Sequence, residues 1–248
     1  MTQYQYMKNL EAIIKNQSDN ALYDWNYNYL VYNKKRYDFE LKKIKRYYHE
    51  DRILEIGAAP YHLTYILKQY GYPVTAVDIE PNRFWDFIEE QGLNVIKCNI
   101  EASSLPFDRG EFGFVLFNEV FEHLRFDPIA TLMEINRVLK PGGILMLSTP
   151  NLYSIRNVIN YLLGKGFDNP YEEFKKLHTI GHMGHVREYS VRQIKTFLLN
   201  TGFENIEAIY KSYVPLKGMW TPFNLVKNII PQLAPYQVHF CKKVETKE

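Results

Sequence analysis

Three groups of residues have types and spacings that could do chemistry. Asp78 lies 21 residues after Gly57, and that glycine opens the small-residue run Gly57-Ala58-Ala59 behind the apolar stretch Ile53-Leu54-Glu55-Ile56. Small residues let backbone amides come close to a ligand, and a helix starting just beyond presents its positive end. A carboxylate at the tip of the next strand is placed to accept both hydroxyls of a ribose. The second group is Glu119, Glu122 and His123, whose i, i+3, i+4 spacing predicts one shared face of a short helix. It reads either as a site beside a reacting group, with His123 as a base, or as acids satisfying a helix dipole beside a structural histidine. The third group is His178, His182 and His185, in a glycine-punctuated segment. Histidine titrates near neutrality, so His182 and His185 are candidate bases in a lid over an acceptor. A divalent ion on this trio, perhaps with Glu119, and plain hydrogen bonding to backbone are the alternatives.

The elements that must position these residues follow from periodicity. Tyr37, Leu41, Ile44 and Tyr48 share a helical face ahead of a buried strand over Arg52 to Ile56. Leu63, Ile66, Leu67 and Tyr70 predict a helix stopped by Gly71, and Val74 to Asp78 reads as the second strand. A helix with Phe84, Phe87 and Ile88 follows, then strands at Asn94 to Cys98 and Phe114 to Phe117. Leu132, Ile135, Val138 and Leu139 share another helical face before the turn Lys140-Pro141-Gly142-Gly143 and the strand Ile144 to Ser148. Repeated strand–helix–strand succession implies a parallel sheet covered on both faces, the doubly wound α/β class. Beyond Pro150 the pattern loosens. A helix closes at Gly164, the stretch Lys165 to Glu188 has no clear period, and Ser190-Val191-Arg192-Gln193 is a capping box opening a helix that stops at Gly202. Strands near Ile206 to Tyr210 and Tyr236 to Lys242 end the chain, with an apolar insertion around Trp220 between them.

On these residues the chain resembles the class I S-adenosylmethionine (SAM) dependent methyltransferases, in the branch found in small-molecule and glycan pathways. Glu55-Ile56-Gly57-Ala58-Ala59 matches the family's acidic-glycine motif, and Val77-Asp78-Ile79 matches its ribose-binding acid. Asn99-Ile100-Glu101 matches the segment that cradles adenine. The stretch from Phe117 to His123, with Asn118 and Glu119, matches the residues beside the transferred methyl. Met133 to Gly143 matches the helix-turn before the fifth strand. The resemblance implies a mainly parallel, seven-stranded Rossmann-like sheet with helices on both faces. It implies SAM as cofactor, held by Glu55, Gly57, Ala58, Ala59, Asp78, Ile79, Asn99, Ile100, Asn118 and Glu119. Two positions depart from the family. Its Gly-x-Gly-x-Gly falls on Gly57, Ala59 and Tyr61, and Asn99 stands where Asp is common. Ala59 is tolerable at negative φ, and Tyr61 can point away at the helix start. A nicotinamide dehydrogenase fingerprint would fall on Gly57, Ala59 and His62 and lacks two of three glycines.

Composition limits the partners. The 248 residues carry a formal net charge of +2, too small to suggest nucleic acid as the default partner. Cys98 and Cys241 have no pair spacing, so no metal ligand set and no disulfide framework is expected, and a reducing compartment fits. The N-terminus lacks a secretory pattern and no apolar run would span a bilayer, so an integral membrane protein is not expected and the expected location is cytoplasmic. The expected organisation is a cap segment over residues 1–36 and a methyltransferase domain over 37–248, with an acceptor lid at 164–189 and an insertion at 213–235. That insertion could line the acceptor pocket, dock a lipid-linked substrate, bury in a homodimer, or simply cap the core. The expected reaction is in-line methyl transfer to a small molecule or sugar, at oxygen; the alternative is a catalytically degenerate SAM-binding module.

Overall fold

The structure is a computed structural model that describes residues 3–16, 21–166, 169–180, 184–215, 218, 221 and 223–244. His182 therefore lies outside the described residues, as does the side chain of His178. Two helices, α1 (Gln3–Asn16) and α2 (Ala21–Tyr47), precede the first strand. Then come β1 (Ile53–Ile56), α3 (His62–Gln69), β2 (Val74–Asp78), α4 (Trp85–Glu90), β3 (Val95–Lys97) and β4 (Phe112–Asn118). The second half runs α5 (Pro128–Val138), β5 (Leu139–Pro150), α6 (Ile155–Leu162), α7 (Pro170–Ile180), α8 (Val191–Asn200), β6 (Phe203–Lys211), α9 (Phe223–Ile229) and β7 (Tyr236–Lys243).

The seven strands form one sheet in the order β3-β2-β1-β4-β5-β7-β6. Neighbours are parallel from β3 to β5, and β7 enters antiparallel between β5 and β6. This is the expected doubly wound sheet. Strand order reverses between β1 and β4, and the crevice beyond those carboxyl ends is where open α/β sheets take ligands. Alternation along β4 builds both cores. Phe114 and Leu116 join the face covered by Tyr37 and Ile44 of α2 and Leu63, Ile66 and Leu67 of α3. Val115 and Phe117 join the face covered by Leu132 and Ile135 of α5 and Ile194 and Leu198 of α8. Such near-continuous apolar burial is what a parallel strand covered on both sides requires.

The structure corrects two expectations. Within the stretch expected to be aperiodic, Pro170 starts α7, with Glu172 and Glu173 in its first turn. Lys175 and Lys176 pair with those acids one turn on, so local charge and a Pro start build a helix that apolar periodicity does not reveal. Glu119, Glu122 and His123 do not share a helical face. Glu119 has φ +56, outside any helix, and only Phe121–His123 forms a 3₁₀ turn. Residues 36 and 37, where a cap was expected to give way to the domain, are consecutive within α2. No described helix is long and apolar enough to cross a membrane.

Candidate functional site

The turn after β1 is built from backbone. The Gly57 amide donates to Val77 O at 2.9 Å, and Gly57 has φ +68. A Cβ on it would stand 2.4 Å from Val120 Cγ2, so conformation and clearance both demand glycine. Asp78 accepts from Ala59 N at one carboxylate oxygen and from Glu80 N at the other, each at 3.0 Å. The carboxylate expected to hold a ribose thus also ties the first and second strand tips together. Ala59 is not among the residues with positive φ, so its methyl costs no strain. Tyr61 takes φ +67 at the start of α3 and is fully buried, its ring edge-on to Phe84 at 5.8 Å. An αL tyrosine costs about 1 kcal/mol or more, which ring burial offsets.

Opposite this turn stands α2. A cavity lies between them, lined by Tyr29, Arg36, Tyr37 and Glu40 of α2, by Glu55 and the Gly57–Pro60 turn, and by Asn118 and Glu119 at the end of β4. Arg36 Nε, both carboxylate oxygens of Glu40 and both polar side-chain atoms of Asn118 are buried without a hydrogen-bond partner among the described residues. Arg36 Nε is 3.6 Å from Glu40 Oε1. Unpaired buried polar groups cost kcal/mol each, so these atoms mark the place where a polar ligand belongs. Burial lifts Glu40 to about 7 and Glu55 to about 8, Glu55 against the opposing hydroxyl of Thr64, which donates to it at 2.5 Å.

Helix α2 is held in place by a buried relay. His62 Nε2 lies 2.7 Å from Asn26 Oδ1, and His62 Nδ1 lies 3.2 Å from the Tyr37 hydroxyl. Since the Asn26 oxygen only accepts, Nε2 carries the proton and Nδ1 accepts from the tyrosine. At its far end α2 is fastened to β6 by Lys43 and Tyr47, both bonded to Glu207. No motif in the sequence marks Tyr29, Arg36 or Glu40, and His62 falls only on the rejected dehydrogenase fingerprint. Their signal was a polar stripe at helical spacing (Asn26, Tyr29, Asn33, Arg36, Glu40) on a helix whose buried face should be apolar.

The remaining expected residues fall around the crevice. Ile79 is exposed beyond Asp78, and Ile100 is half-buried beyond β3. The Asn99 side-chain oxygen accepts from Glu101 N at 3.0 Å, so that oxygen stabilises its own turn. Glu101 in turn accepts from the amides of Arg125 and Phe126, which ties the third strand tip to the fourth. Glu119 accepts from the Ser148 hydroxyl at 2.7 Å, and burial raises its pKa. Glu122 is 1% exposed; burial and the nearby Glu119 charge lift it to about 8. Thr149 donates to its Oε2 at 2.9 Å. The amides of Val186 and Arg187 donate to the Glu122 carbonyl, which brings His185 to the same end of the sheet as His123. The two imidazole centroids are 5.2 Å apart.

The comparisons with known proteins agree with this geometry. A family model for a methyltransferase domain matches residues 3–208. A ubiquinone biosynthesis O-methyltransferase of Cereibacter sphaeroides is 33% identical over 103 residues, which cover 40% of this chain and 41% of that protein. An uncharacterised methyltransferase of Schizosaccharomyces pombe is 29% identical over 130 residues, 47% of this chain and 45% of that protein. The chain thus spans less than half the length of the curated relatives it matches. Among solved structures, the Haloferax volcanii putative methyltransferase complexed with the Trm112 activator superposes with TM-score 0.63 at 16% identity, covering 91% of this chain and 96% of that one. The 1,6-didemethyltoxoflavin N1-methyltransferase of Burkholderia thailandensis, solved with S-adenosylhomocysteine, gives TM-score 0.60 at 14% identity over 99% of this chain and 92% of that one. With the sheet order, the glycine turn with its spaced aspartate and a family match over most of its length, the chain belongs to the class I SAM-dependent methyltransferases.

Proposed function

We propose that this protein transfers the methyl group of SAM to an oxygen of a small-molecule acceptor, a sugar or other small metabolite. The observation that carries the reading is the cavity between α2 and the Gly57 turn, where the loosely paired Arg36 and Glu40 and the Asn118 amide keep buried atoms without a hydrogen-bond partner among the described residues. Those groups fit an amino acid end: the guanidinium suits its carboxylate, and Glu40 with Asn118 suits its ammonium. Asp78 is the ribose acceptor. Gly57, Ala58 and Ala59 form the backbone cradle with Glu55 behind them, and Ile79, Asn99 and Ile100 border the adenine side.

SAM supplies a methyl already activated on a sulfonium, so the protein's task is chiefly alignment, which can lower a barrier by about 7–11 kcal/mol. In this reading α2 clamps the cofactor and excludes water. The acceptor approaches from beyond β4 and β5, on the side of Glu119, Glu122, His123 and His185. A hydroxyl acceptor must lose a proton there, and His185 at the mouth of the Glu122 group is the residue on which that loss depends. The oxygen preference draws support from the O-methyltransferase relative. We further propose residues 1–36 as a cap that completes the pocket, 164–189 as the acceptor lid, 213–235 as an insertion at its edge or in a homodimer, and the cytoplasm as the location. Neither nucleic acid nor membrane is part of this reading, in keeping with the near-neutral charge.

Calorimetric titration with SAM and with S-adenosylhomocysteine tests the pocket, and mass-spectrometric detection of methylated products on a panel of sugars, phenols and amines tests the reaction. Failure of both ligands to bind at millimolar concentration overturns the proposal. His185→Ala should lower turnover about 10²–10⁴-fold while leaving SAM affinity within a few-fold. A second reading, a SAM-binding module without turnover, is favoured only by Ala59 and Tyr61 in the glycine turn, and binding without product on the whole panel would establish it.

A further inference from the structure

The acidic and histidine side chains beyond β4 do more than crowd together. Glu122 Oε1 is buried, has no hydrogen-bond partner among the described residues, and points at two imidazoles. It lies 4.0 Å from His123 Nε2 and 3.9 Å from His185 Nε2. One donor atom from each of the three residues falls within 4.8 Å of the other two. Each imidazole is also oriented from behind. His123 Nδ1 is 3.0 Å from the Gly184 carbonyl oxygen, and His185 Nδ1 is 3.5 Å from Glu188 Oε1. Glu188 is held by Asn157, which donates to its other oxygen at 2.6 Å.

An acceptor behind each Nδ1 fixes the proton there and turns an unprotonated Nε2 toward Glu122. Carbonyl and carboxylate groups play this part behind metal-ligating histidines. A bound cation would supply the partner that Glu122 Oε1 lacks among the described residues. We infer that Glu122, His123 and His185 bind a divalent transition cation of the zinc or cobalt class on the acceptor side of the pocket. Two nitrogens and one oxygen suit that class better than magnesium or calcium, which prefer oxygen throughout. Donors at bond lengths of about 2.1 Å in a tetrahedron stand about 3.4 Å apart, so small rotations of the two part-exposed imidazoles close the triangle. A three-residue set leaves a position for an acceptor oxygen, whose proton a bound cation makes easier to lose. This set departs from the expectation of no metal ligand, which rested on cysteine spacing, and from the alternative trio His178, His182 and His185: Glu122 and His123 join His185 instead. The role in methyl transfer rests on the function proposed above, whereas the existence of the site does not.

The test uses the full chain, stripped with a chelator that is then dialysed away, and titrated with cobalt(II) alone. The expected result is one equivalent bound, with visible absorption bands of a nitrogen-ligated ion and competition by zinc. His185→Gln, part-exposed and safe for folding, should weaken binding about 100-fold and remove the bands; Glu122→Gln should do the same if it folds. No stoichiometric binding, or equal binding by wild type and His185→Gln, overturns the inference. SAM titration of the same samples separates the two proposals: SAM without cobalt overturns the cation site alone, and cobalt without SAM overturns the cofactor reading alone.

Discussion

The two walls of the proposed cofactor pocket are made in different ways. One wall, the turn after β1, consists chiefly of backbone groups with the Glu55 carboxyl among them, pinned from the tip of β2 by Asp78: Gly57 stands at φ +68, and the Ala59 and Glu80 amides are bonded to Asp78. The other wall, α2, consists of side chains, Tyr29, Arg36, Tyr37 and Glu40, carried on a helix that must be held at the right distance. The first wall is local, closed within 24 residues of chain from Gly57 to Glu80. The second depends on contacts such as Asn26 to His62 and Lys43 to Glu207, far apart in sequence. A site built from backbone tolerates few substitutions at few positions. A site built from side chains on a docked helix can fail through any of its fastenings.

The largest effect belongs to the first wall. Gly57→Ala would place a methyl 2.4 Å from Val120 Cγ2 at a φ that alanine disfavours. SAM binding should be lost, and thermal stability should fall by about 1–3 kcal/mol through overpacking and backbone strain together. Calorimetry and thermal denaturation on the same protein check both. Retained SAM affinity would show that this turn is not the cradle.

Next come two single-charge removals, one on each wall. Asp78→Ala deletes the proposed ribose acceptor and also unpins the Ala59 amide, while Arg36→Met deletes the guanidinium on α2. A charge-assisted hydrogen bond contributes about 1.5–3 kcal/mol, so each variant should bind SAM about 10–100-fold more weakly. Equal losses would mean that both walls grip one ligand. An unchanged dissociation constant for Arg36→Met alone would assign α2 to the acceptor instead.

This division also explains what the sequence could reveal. Strands, crossover helices and the Gly57–Asp78 spacing are matters of local period and turn chemistry, so the parallel sheet and the first wall were legible. Strand β7 was found as an element, but its antiparallel seat between β5 and β6 is a long-range pairing that no local pattern carries. The α2 wall was hidden for the same reason: Arg36 and Glu40 look like an ordinary solvent-facing i, i+4 pair until the helix is docked. The segment after β4 misled in the other direction, because acid–x–x–acid–His spacing suggests a helix where Glu119 takes φ +56 instead.

A smaller effect separates the two walls by pH. His62, in the fastening of α2, and His239, within β7, are both pushed down to about 3 by burial, the latter bonded through Nε2 to Gln237. Each is neutral when folded and titrates near 6.5 when unfolded. Its contribution to stability is therefore complete above about pH 6.5 and is lost below it, by about 1.4 kcal/mol per pH unit per histidine. Glu40, Glu55 and Glu122, lifted to about 7, 8 and 8 by burial, gain stability over the same window, so the histidine share is read as a difference. Between pH 7.5 and 5.5, urea unfolding of wild type should lose about one histidine's share relative to His239→Gln. SAM affinity should be the same in wild type and His239→Gln at both pH values, since neither folded imidazole charges in that range. A parallel fall in the wild type alone would place His239 in the site.

The smallest effect bears most directly on whether the turn is degraded. Ala59→Gly restores a glycine where the family commonly has one. If the alanine methyl obstructed the cofactor, removing it should tighten SAM binding. The geometry argues otherwise. Ala59 keeps a negative φ, and its amide is already spent on Asp78 at 3.0 Å. The positions in this turn that adopt the left-handed conformation are Gly57 and Tyr61, and burial of the ring compensates at the latter. Glycine at 59 therefore gains no needed freedom and gives the unfolded chain more states to lose, costing about 0.4–1 kcal/mol of stability. SAM affinity should stay within about twofold of wild type, a shift of about 0.4 kcal/mol, because the contacts offered to the ligand do not change. A tenfold gain in affinity on calorimetric titration would show the alanine to be an obstruction and would favour the degenerate module. An unchanged constant with a slightly lower melting temperature would mean that alanine serves this turn as well as glycine, because the turn takes its clearance at Gly57 and its reversed backbone at Gly57 and Tyr61.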